Sequence, residues 1–130
     1  ALYRRTLYTS WKRSGPNPAL LLFDRPFRET CTTRRSRTST PLQALNLLND
    51  PVFLEAAHGL AVRTAAEPNR IDRMFSIALG RPPAESERQS LARYLDRQIG
   101  ILQAEGRPAE EAWTGVARVL LNTDEFINRN

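Results

Sequence analysis

One cysteine, one histidine, one methionine and, among nineteen cationic residues, one lysine stand in this chain of 130 residues. The lone thiol, Cys31, excludes an internal disulfide and leaves neither a CxxC pair for zinc nor a CxxCH for covalent haem. The lone imidazole, His58, excludes a metal site built from two histidines and leaves a single base for any nucleophile. Long apolar runs are also missing. ALLLF at 19–23 is far shorter than the roughly 20 residues a membrane-crossing helix requires, and no charged segment leads into an apolar stretch of signal type. No membrane span, no metal and no cofactor are expected from this residue set.

Charge is present, but unevenly. The net charge is +5. Residues 1–50 hold nine Lys and Arg against three acids, whereas residues 51–130 hold ten against eleven. Eighteen of the nineteen cations are arginine, Lys12 being the exception. A planar guanidinium suits bidentate pairing with carboxylate or phosphate and tolerates partial burial better than an ammonium. A GC-rich genome produces the same bias.

From residue 41 onward, proline and glycine punctuate a series of helical patterns. Thr40-Pro41-Leu42-Gln43 places Thr at an N-cap, Pro at N1 and Gln at N3, the arrangement of a capping box, so a helix is expected over 41–48. Asp50-Pro51 repeats the cap-then-proline device and starts a second, expected to reach Ala65. Ile71, Met74, Phe75, Ala78 and Leu79 recur at helical spacing before Gly80. Leu91, Leu95, Ile99 and Leu102 mark a long helix over 84–104. Pro108 is expected to open the last one, with Trp113, Val116, Ala117 and Leu120 on its buried stripe.

The first forty residues differ in kind. Tyr3, Leu7, Tyr8 and Trp11 suit a short strand or one helix face, and Asn17-Pro18 suits a brief turn through Leu22. Residues 24–39 carry no apolar period beyond Phe27, which predicts an ordered arm. The fold expected is mainly α: an irregular bundle of four to five helices with an ordered, arginine-rich N-terminal arm. One domain over 1–130 is expected, with arm and loops over 1–40 and helices over 41–130.

Candidate chemistry is sparse. Arg34, Arg35 and Arg37 beside hydroxyl residues could meet phosphates, but the patch is short and Asp24 and Glu29 lie close enough to neutralise it. The reading favoured is a structural polar network of Asp24, Glu29, Arg34, Arg35 and Arg37, with Thr40 capping the helix that follows; the same residues are the candidates for ligand contact. Cys31 reads as a buried packing or anchoring thiol and His58 as a surface or satisfied core residue, because no spacing joins them as nucleophile and base. Glu85 with Glu87 and Glu110 with Glu111 stand in first helical turns, where they complement the helix dipole. Catalysis by this chain is not expected.

RRTLYTSWKR at 4–13, FDRPFRETC at 23–31, RRSRTSTPLQALNLLNDP at 34–51, ALGRPP at 78–83 and AWTGVARVLLNTDEF at 112–126 carry a resemblance over nearly the whole chain. The sequence resembles the C-terminal domain of unknown function in large secreted proteins of planctomycetes and related bacteria, a domain often found with a cytochrome-c-like haem domain. The resemblance implies an exported protein of the periplasm, cell envelope or exterior, a link with polysaccharide use, upstream domains of the same parent as partners, and a chain beginning inside the family domain. It brings no haem motif to this sequence. A weaker likeness, to helical modules of secreted proteins, rests on Leu79-Gly80-Arg81-Pro82, Trp113 and Glu125-Phe126. The function expected is a non-catalytic scaffold or interaction module. The alternatives are an accessory part of a hydrolytic or redox-linked enzyme with its active site upstream, and nucleic-acid binding through the basic first half; specific nucleic-acid binding is not expected.

Overall fold

The computed structural model describes Tyr8, Lys12, Gly15 and Ser36 singly, and residues 17–26, 31–34 and 38–128 as segments. Among the described residues the chain is mainly α-helical, with seven helical segments and no strand. They are α1 (Pro18–Leu22), α2 (Pro41–Asn49), α3 (Pro51–Arg63), α4 (Arg70–Leu79), α5 (Glu85–Ala104), α6 (Glu111–Leu121) and α7 (Asp124–Ile127). The first and last are little more than one turn. The chain divides into two units, residues 1–46 and 47–130. The readings made for Tyr3, Leu7 and Trp11, and much of the arm, lie outside the described residues.

In the first unit, α1 begins where the Asn17 side chain accepts from the Ala19 amide at 3.0 Å, with Pro18 at the first helical position. It ends by a Schellman closure. The Asp24 amide donates to the Leu21 carbonyl at 3.3 Å and the Arg25 amide to that of Leu20, also at 3.3 Å. Such a closure needs a left-handed residue, and Asp24 takes that place with φ 55°. Aspartate is one of the few residues besides glycine that visit this region, and here its carboxylate is held by Thr38.

The second unit is built around α6, which packs against α3, α4, α5 and α7. Small residues explain how close the helices come. Ala57 and Ala61 on α3 and Ala112 and Ala117 on α6 are all buried, so backbones approach with little side chain between them. Met74 and Phe75 from α4, Leu91, Leu95 and Leu102 from α5, and Val116 and Leu120 from α6 fill the remaining core. Burying a side chain of this size contributes roughly 1.5–3 kcal/mol.

Two helix ends differ from the sequence expectation. α3 stops at Arg63 rather than Ala65, because the fully buried Thr64 turns its hydroxyl back on the Leu60 and Ala61 carbonyls at 3.0 and 3.2 Å. The Ala65 amide then closes a tighter bond to Val62. Pro108 opens a turn and not the helix itself: the amides of Glu111, Ala112 and Trp113 each bond the carbonyl three residues back, and α6 begins at Glu111. Gly106, at φ 68°, ends α5 with the same pair of bonds that Asp24 uses, Gly106 to Gln103 and Arg107 to Leu102.

Candidate functional site

Of the residues singled out from the sequence, Asp24, Arg34 and Thr40 are described, whereas Glu29, Arg35 and Arg37 lie outside the described residues. Thr40 and Gln43 form a reciprocal capping box: the Gln43 amide donates to Thr40 Oγ1 at 3.3 Å and the Thr40 amide to Gln43 Oε1 at 3.1 Å. The nearly buried Gln43 then uses its Nε2 twice, toward the Leu22 carbonyl at 2.6 Å and Thr38 Oγ1 at 3.2 Å. Thr38 in turn donates to Asp24. Its amide reaches Oδ2 at 2.6 Å, and its hydroxyl lies 2.8 and 2.7 Å from the two carboxylate oxygens.

Asp24 and Thr40 are thus joined through Thr38 and Gln43, a threonine and an amide that stand between them in the bonding order. Sequence reading missed Thr38. Its signal was weak, one hydroxyl among five threonines between residues 30 and 40. Arg34 is exposed. Cys31 corrects the expectation of a buried thiol, since it is exposed. His58 is exposed on α3.

The second unit contains stronger electrostatics. Arg81 follows the left-handed Gly80 and grips two carboxylates at once. Its Nε and Nη2 lie 2.7 Å from the two oxygens of Glu125, and its Nη1 and Nη2 lie 2.9 and 2.8 Å from those of Glu87. The guanidinium also sits over the Phe75 ring at 4.9 Å. Glu87 additionally accepts from the Ala84 amide at 2.7 Å, completing the turn into α5. Bonds from Arg81 and then from that amide hold the Glu87 carboxyl down at about 2. The same arginine holds Glu125 below the ordinary carboxylate value. The turn at Gly80-Arg81-Pro82 and the closing Glu125-Phe126 pair, separate signals in the sequence, are therefore one contact.

Two further arginines act alike. Arg88 forks onto Asp72 at 2.9 and 3.0 Å and reaches Glu85 at 2.7 Å, tying α4 to α5. Arg70 is buried, lies 4.2 Å over the Trp113 ring, donates to the Ala61 carbonyl at 2.8 Å and pairs with Glu110. The bond from Arg70 lowers the Glu110 carboxyl below its usual value. Glu85, Glu87, Glu110 and Glu111 thus each hold an arginine in addition to their place near a helix start.

One crevice in this unit has polar groups left over. It encloses about 460 Å³ and is lined by Leu48, Tyr94, Gly115, Arg118, Val119, Asn122 and Thr123. Arg118 donates through Nη2 to the Leu48 carbonyl at 2.9 Å. Asn122 Oδ1 is buried and accepts no hydrogen bond. Among the described residues no group of three or more His, Cys, Asp or Glu is placed to hold a metal ion, and no helix is long and apolar enough to cross a membrane.

A profile described as PSD1, protein of unknown function (DUF1553), matches residues 1–95. Neither the curated proteins nor the solved structures contain a match.

Proposed function

The chain belongs to the PSD1 family of proteins of unknown function (DUF1553), and on that footing we propose that it is a non-catalytic interaction module of a larger exported bacterial protein. The observation that carries this reading is the way arginine is used. In the second unit Arg70, Arg81, Arg88 and Arg107 each pair with carboxylates of the same unit, spending on internal cross-links the groups that an active site or a phosphate-binding face would need free. Exposed apolar side chains, Leu42 at 60% and Val62 at 60%, add surface that suits contact with another protein segment.

Partnership with upstream segments of the same parent, a planctomycete-type origin, export and a link with polysaccharide use belong to this proposal through the resemblance described above. The polar network of Asp24, Glu29, Arg34, Arg35 and Arg37 is likewise proposed as structural, organised on the Asp24–Thr38 bonds. Co-purification decides the reading. The 130-residue chain and the remainder of its parent, produced separately and mixed, should elute as a stoichiometric complex. Independent elution, or salt-sensitive binding to oligonucleotides in an anisotropy titration, would overturn it.

A further inference from the structure

We draw no further inference here: the strongest candidate, the apolar crevice of about 270 Å³ where Ala56, Gly59 and Leu60 of α3 face Ile77 and Ala78 of α4 and Phe126 of α7, carries nothing because nothing in the structure shows what covers it.

Discussion

The two units of this chain are held together by different chemistry. Among its described residues, the first shows one carboxylate, one amide and two threonines joined by hydrogen bonds, exposed at Asp24 and part-buried at Gln43. The second relies on a packed apolar core with arginine forks at its edges. A hydrogen bond near water contributes little net free energy, about 0.5–1.5 kcal/mol. A buried aliphatic side chain contributes more and shares its burial with many neighbours. The Asp24–Thr38 and Thr40–Gln43 bonds should therefore open more readily than the packed core of the second unit.

The largest test of that contrast is Met74→Ala. Met74 is fully buried between α4 and its neighbours, and truncating it should destabilise the second unit by about 2–5 kcal/mol in a urea titration. Next is Arg70→Ala, which removes the closer of the two side-chain donors to the Ala61 carbonyl, leaving Thr64, and removes the cation over Trp113. A loss of about 1–3 kcal/mol is expected in the same titration, with a change in tryptophan fluorescence. Thr40→Ala deletes one half of the capping box and should cost about 1 kcal/mol, read as lost amide protection in α2 while the thermal midpoint of the second unit stays in place.

A pH titration sharpens the comparison further. The Glu87 carboxyl is held at about 2 against 4.5 for the free group, so its contribution is complete above 4.5 and is lost as pH falls toward 2. In Arg81→Met its titration, followed by carboxyl NMR, should move back toward 4.5. The smallest effect concerns Cys31. Because the thiol is exposed, a thiol reagent should label it in the native protein at nearly the rate seen in urea, and strong native protection would show that the first unit is more closed than its bonds imply.

What could be read from the sequence was what is local. Asp50 before Pro51, Thr40 with Gln43, and the i, i+3, i+4 pattern from Ile71 to Leu79 each act over one or two turns, and each corresponds to a helix start or face in the fold. The turn at Pro108 and the stop at Arg63 were misplaced because a tight turn and a buried threonine compete with the helix over only two or three residues. Arg70 with Glu110 and Arg81 with Glu125 span 40 and 44 residues, and no local pattern announces such a pair. The crevice was illegible for the same reason. Its chemistry exists only where Tyr94 meets the bare backbone of Gly115.

The central position of α6 sets the reach of the family match against the packing of the second unit. The family match ends at residue 95, halfway along α5, yet the helix against which α3, α4 and α5 all pack begins at Glu111. A protein truncated where the family match stops would lose the buried α6 residues Ala112, Val116, Ala117 and Leu120 from the core shared with Ala57, Leu60, Met74 and Leu91. Such a fragment should aggregate or be degraded. The thirty-five residues beyond the match hold the central helix of the second unit, and a fragment of this chain made to keep that unit intact must run through α7.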